Sequence, residues 1–275
     1  MRFFKLSSSE SWSGTVFHGG ADVKQLDPYP APGSSTGTPA VSFRFFRVSQ
    51  DAAAVANRAR ESGYTIGPVY HGSANTGVNV FDPGKAGSIQ TSDWGRGIYW
   101  TPSHWMADSY RIGAVTGTDD EANRLYDEME GRAKEMGTTG MMKWIDLRGN
   151  KITQEQYDEL YQMENQWREA LEKAENSEKG QVYAAFLKIQ KPYVYRYVGI
   201  TDPYLAALAR ERGCDAVVVT SEEADTSGPI ESWAEEILVF SPNQIKSADP
   251  VTYDDQGNPI PLEKRFDPSI PDIRY

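Results

Sequence analysis

Apolar and polar positions alternate in short blocks through most of this chain, and one long charged stretch interrupts them. "AVSFRFFRVS" (40–49) alternates with a period of two and predicts a strand. The Pro, Gly, Ser and Thr of "DPYPAPGSSTGTP" (27–39) predict a loop before it. "SQDAAAVANRARESG" (49–63) predicts a helix, with Ser49 or Asp51 as its cap, alanines inside and Gly63 as its stop. A second region opens at Tyr64. "GPVYHGS" (67–73) predicts a short strand, and "SDWGRGIYW" (92–100) predicts a glycine-bounded turn into another. "TPSHWMADSYRIG" (101–113) predicts a helix with Thr101 as N-cap and Pro102 in its first turn.

Residues 117–180 change character. Two charged segments, 119–137 and 153–180, predict a helical pair, and Thr153 with Gln156 fits a capping box. Tyr157, Leu160, Tyr161, Trp167, Leu171 and Ala174 fall near one face, which predicts packing of the pair on the body. From residue 181 the pattern returns to short strands: "QVYAAFLKI", "PYVYRYVGI", "CDAVVVTS" and "EEILVF". "DPYLAALARERG" (202–213) predicts a helix from Asp202 to Gly213, "SPNQIKSA" (241–248) a turn, and 249–275 a tail extended on the surface. Strands and helices do not alternate regularly, so the expected class is α+β. The expected organisation is an N-terminal region 1–63, which caps the rest or belongs to its fold, and a domain 64–275 carrying the insert 117–180. Phe17-His18-Gly19-Gly20 faintly repeats Tyr70-His71-Gly72-Ser73.

Composition narrows the partners. A net charge of −11 repels phosphate backbones, so nucleic acid is a less favoured partner. The single cysteine excludes an internal disulfide and a multi-cysteine metal site, and the three histidines lack zinc spacing, so no metal is expected. The start "MRFFKLSSSESWSG" lacks the sustained apolar run of a secretory signal, and no stretch has the length of a membrane span. The expectation is a cytoplasmic chain with no membrane partner, delivery by a signal-less route remaining open.

Within this frame a few residues stand out. His71 precedes Gly72-Ser73 at a strand end, where glycine lets a ligand approach a backbone N–H and C=O pair. Such a pair suits a planar carboxamide. Tyr99 and Tyr110 could sandwich a flat ring. Glu236 begins a strand, where its carboxylate can face a cleft. Singly, each has an ordinary structural reading: a bonded histidine, core tyrosines, a solvated acid.

In order, "VYHGS", "GRGIYWTPSHWMADSY" and "EEILVFSPNQIKS" resemble the His-Tyr-Glu class of the ADP-ribosyltransferase superfamily, which includes the poly(ADP-ribose) polymerases and diphtheria-toxin-like enzymes. "VYAAFLKIQKPYVYR", "GCDAVVVTS" and the "NPIPLEKRF…DIRY" tail are similar to transferase domains of phage and mobile-element polyvalent proteins. The resemblance implies two small antiparallel sheets around an NAD cleft, and mono-ADP-ribosyl transfer to a macromolecule, a protein by preference, as in toxins and effectors. It implies that His71 bonds the adenosine-side ribose and that Gly72, with Ser73 beside it, grips the carboxamide. It further implies that Tyr99 and Tyr110 stack on the nicotinamide, and that Glu236 bonds the nicotinamide ribose and stabilises the cationic transition state. The chain departs from the polymerases at Ala107, where they carry a serine, and Glu235 offers a second register for the acid. Ala234 leaves no Glu-x-Glu or Gln-x-Glu pair, unlike the arginine-specific toxins. Two rival readings are an NAD glycohydrolase on the same fold and an inactive domain that binds NAD or a partner.

Overall fold

A computed structural model describes residues 51–85 and 93–275. The strand and loop expected within 27–49, and the repeat at Phe17–Gly20, lie outside them. The described residues form six helices: α1 (Ala52–Glu61), α2 (His104–Gly117), α3 (Asp120–Glu135), α4 (Lys143–Arg148), α5 (Gln154–Glu175) and α6 (Leu205–Glu211). The strands are β1 (Ile66–Ser73), β2 (Ile98–Trp100), β3 (Gln181–Leu187), β4 (Pro192–Tyr197), β5 (Ala216–Ser221), β6 (Glu236–Val239) and β7 (Ile245–Ser247). They make two sheets, ordered β1-β3-β7 and β2-β6-β5-β4. The mixed, segregated arrangement agrees with the α+β class.

The alternating side chains of the strands build the core. Val69, Ala185, Leu187 and Ile245 from the first sheet bury against Ile98, Trp100, Val218, Ile237 and Val239 from the second. The opposite faces of β5 and β6 place Val217, Val219 and Leu238 under Leu205, Ala206 and Ala209 of α6, with Trp94 beside them. Burying each of these valine, leucine and isoleucine side chains contributes roughly 1.5–3 kcal/mol. The sheets meet where Tyr70 and Thr101 exchange two backbone bonds, of 2.8 and 2.9 Å.

Several expectations are corrected. The sheets are not both antiparallel: β4 and β5 run parallel, because α6 lies between them and supplies the crossover that parallel neighbours require. Thr101 does not cap α2, since its backbone is committed to Tyr70. Ser103 does, its hydroxyl accepting the Met106 N–H at 3.2 Å. The 241–248 turn contains a strand, β7, which pairs with β3. The insert holds three helices rather than two, and Tyr161 from the expected packing face is 46% exposed while Leu160 and Ala174 are buried. The tail runs largely along the surface as expected but is anchored in the fold, since Ile260, Phe266 and Ile273 are buried. The Ser247 N–H donates to Ile273 O at 2.7 Å and the Ile273 N–H to Asn79 O at 2.8 Å.

At the other end, Asp51 caps α1 by accepting the Ala53 N–H, and Gly63 leaves the helix at φ +86°. Val55 and Ala59 of α1 pack with Tyr64, Phe186 and Phe266. Among the described residues no helix is long and apolar enough to cross a membrane.

Candidate functional site

His71 lies in β1 opposite Tyr183 of β3. Its ring sits edge-on to Phe81 at 5.0 Å and tilted to Trp100 at 5.4 Å. Nδ1 lies 2.7 Å from the carbonyl oxygen of Tyr99. A carbonyl only accepts, so Nδ1 must carry the proton. Burial pushes the imidazole below its ordinary value, partly offset by that bond. The neutral tautomer therefore leaves Nε2 as an acceptor.

Gly72 follows. Along a strand, backbone N–H and C=O groups point to alternate edges. Tyr70 uses the edge that faces Thr101, so Gly72 presents its own N–H and C=O on that same edge, just beyond the bridge. Helix α2 crosses here. A Cβ on residue 72 would lie 1.9 Å from Ala107 O and 2.5 Å from Arg111 N. Only glycine admits the helix at this distance, and the helix brings Tyr110 with it. Ser73 ends the strand opposite Gln181, and its hydroxyl accepts the Asn75 N–H at 3.1 Å.

Tyr99 projects to the α6 side of the second sheet, where its ring is half-buried. Its hydroxyl donates to Gly95 O at 2.7 Å and accepts the Trp94 N–H at 3.2 Å. Glu236 starts β6, half-buried, and two donors converge on its carboxylate. The Tyr110 hydroxyl donates to Oε1 at 2.6 Å, and the Trp94 indole Nε1–H donates to Oε2. Burial, and then the charge of Glu236, raise the Tyr110 phenol above its ordinary value, so it stays a donor. Tyr110 as a residue is 38% exposed. Glu235 is exposed, its N–H bonded to Val219 O at 2.9 Å.

The folded chain thus links residues far apart in sequence: His71 to the backbone of Tyr99, Tyr99 to Trp94, Trp94 to Glu236, Glu236 to Tyr110, and the helix of Tyr110 to Gly72. Ser73 stands outside this chain of contacts. No family model, curated protein or solved structure matches this sequence. Trp94 is the residue that sequence reasoning passed over. Its place just before Gly95-Arg-Gly97 was visible, but nothing in the pattern showed where its N–H would point.

Among the described residues no group of His, Cys, Asp or Glu is placed to hold a metal ion. What the arrangement offers is a fixed carboxylate, a neutral imidazole acceptor, a backbone donor–acceptor pair and a partly exposed tyrosine.

Proposed function

We propose that this chain is an NAD-dependent mono-ADP-ribosyltransferase, a glycosyltransferase that acts on NAD, releases nicotinamide and passes ADP-ribose to a protein acceptor. The observation that carries this reading is the convergence of Tyr110 and Trp94 on the Glu236 carboxylate, on the same helix-and-strand junction that presents the Gly72 backbone.

The residues fit the chemistry. A carboxylate has about four lone-pair sites. Two are taken by Trp94 and Tyr110, which leaves others to accept a ribose hydroxyl and to face the positive charge that grows as the C–N glycosidic bond breaks. The Gly72 N–H and C=O match the acceptor and donor of a carboxamide. The partly exposed Tyr110 can stack on a flat cationic ring, while Tyr99 packs against α6 and supports the turn that carries Trp94. The neutral His71 offers Nε2 to a hydroxyl of the second ribose. Nicotinamide leaves as a neutral molecule, so no strong general acid is required.

The test is nicotinamide release from NAD by the purified chain, together with mass spectrometry of a cell lysate incubated with labelled NAD. Glu236→Gln should keep NAD affinity within several-fold and cut release by about a hundredfold or more. Near-normal release by this variant would remove Glu236 from the reaction. Free ADP-ribose with no labelled macromolecule would turn the reading to NAD hydrolysis, and NAD binding without release would turn it to a binding domain.

A further inference from the structure

We infer that Trp94 is a positioning residue that sets the direction of the Glu236 carboxylate. This rests on the reading of Glu236 as the acid group of the proposed transferase.

A glutamate at the start of a strand ordinarily samples several rotamers. Here each of its oxygens has its own donor, Tyr110 for Oε1 and Trp94 for Oε2. A donor on one oxygen fixes a point; donors on both also fix the plane of the group. The lone pairs that remain then keep one direction, which is what preorganised stabilisation of a developing charge requires.

Trp94 is itself held on every side. It is 4% exposed. Its ring packs against Tyr195 at 5.5 Å and edge-on to Tyr197 at 5.4 Å, both from β4. Its backbone N–H donates to the Tyr99 hydroxyl at 3.2 Å, and its carbonyl accepts the Ala206 N–H of α6 at 2.9 Å. The next residue, Gly95, adopts φ +93°, and a Cβ there would meet Pro203 O at 2.6 Å. That glycine lets the turn press against the segment leading into α6. Phenylalanine could fill the same space. It would lack the indole N–H, the donor by which this side chain also reaches the acid. One residue therefore ties Tyr99 to Glu236 and holds both in register with β4 and α6.

The experiment has two independent arms. In the first, the chain is labelled with nitrogen-15 and the indole N–H resonances are recorded, Trp94 being assigned by its loss in Trp94→Phe. In Glu236→Gln the Trp94 resonance should move upfield, and no other indole signal should move comparably. An unmoved signal overturns the inference whatever the activity. In the second arm, Trp94→Phe should keep its near-ultraviolet dichroism, hold NAD affinity within about threefold and lose roughly 10–100-fold in kcat for nicotinamide release. A loss confined to KM would make Trp94 a binding residue and overturn the inference. If Trp94→Phe fails to fold, the Glu236→Gln shift still decides, with each indole in turn replaced for assignment. If the resonance moves as expected but the native chain releases no nicotinamide, the transferase reading fails while the positioning contact stands.

Discussion

Gly72 has no room for a side chain, because α2 lies against it with Ala107 O 1.9 Å and Arg111 N 2.5 Å from where a Cβ would be. Both obstacles are backbone atoms, so Gly72→Ala must shift the helix rather than a flexible tip. Overpacking of this kind costs typically about 1–3 kcal/mol. The urea midpoint should fall accordingly. On the proposed reading NAD affinity should fall as well, by at least about tenfold, a 1.4 kcal/mol change, since Tyr110 would move away from Glu236. Unchanged stability would mean that α2 does not lie as close as described. The sequence made Gly72, His71, Tyr99, Tyr110 and Glu236 legible as candidates, through residue type and order. It could not show that Glu236 takes two donors while Glu235 faces solvent, because that depends on where β6 begins and on which way its first side chain points. It was silent on Trp94 for a related reason: a hydrogen bond is set by the direction of a side chain, and a pattern of apolar positions carries no direction.

At the scale of elements, caps and glycine stops predicted helices well where the signal was local. Asp51 and Gly63 bound α1, and the Thr153–Gln156 capping box opens α5. Prediction failed where tertiary pairing overrode local preference. Thr101 is a good cap by type, but the strand of Tyr70 claims its backbone. β7 is three buried residues with a lysine at its centre, and that polar residue hid the strand. The α3–α5 insert has its own small core of Met129, Ala133 and Leu160, flanked by Met136, Met163 and Trp167. Within it, Arg132 of α3 pairs with Glu159 of α5 at 2.6 Å. Its ends come close together: the Lys179 ammonium is 3.3 Å from the Asp119 carboxylate, and Arg111 of α2 holds Lys179 O at 2.9 Å. A satellite cluster of this kind can be removed without opening the main core. Replacing 119–177 with a short Gly/Ser linker should therefore leave a folded chain; if the proposed transferase reading holds and the insert selects the acceptor, that chain releases nicotinamide within several-fold of the native rate and no longer labels a macromolecule. Loss of release by a folded deletion would assign the insert to the proposed NAD site rather than to acceptor choice.

Over the whole molecule, the last stretch of chain is fastened by two buried cations that lean on carbonyl oxygens. Arg265 donates to Ser247 O at 3.0 Å, Asp249 O at 2.9 Å and Pro250 O at 3.2 Å. Lys246 is 1% exposed and donates to Ile270 O at 2.6 Å and Asp272 O at 2.9 Å. The sequence showed a Pro- and Asp-rich surface tail but not its anchoring, because these partners are main-chain atoms, which every residue carries. Carbonyls offset burial of a charge only in part. Burial accordingly brings Lys246 down from 10.5 to about 8, with Asp272 and Asp267 opposing the fall. The folded value lies below the unfolded one, so between about pH 8 and 10.5 the unfolded chain binds more protons and stability rises with pH. The neutral amine still has two hydrogens for its two carbonyls, so the fastening survives deprotonation. Lys246→Met lacks the titrating group and leaves both carbonyls unpaired at every pH. The native chain should be the more stable at pH 7.5, and its advantage should grow by roughly 1–3 kcal/mol by pH 10. Tyr64 and Tyr110, both raised by burial, weaken the fold as unfolded tyrosines ionise, but they do so equally in the two proteins and cancel in the difference. Urea midpoints of both proteins across that range measure it. A constant gap would place the Lys246 ammonium in a better-solvated setting than its carbonyl cage provides.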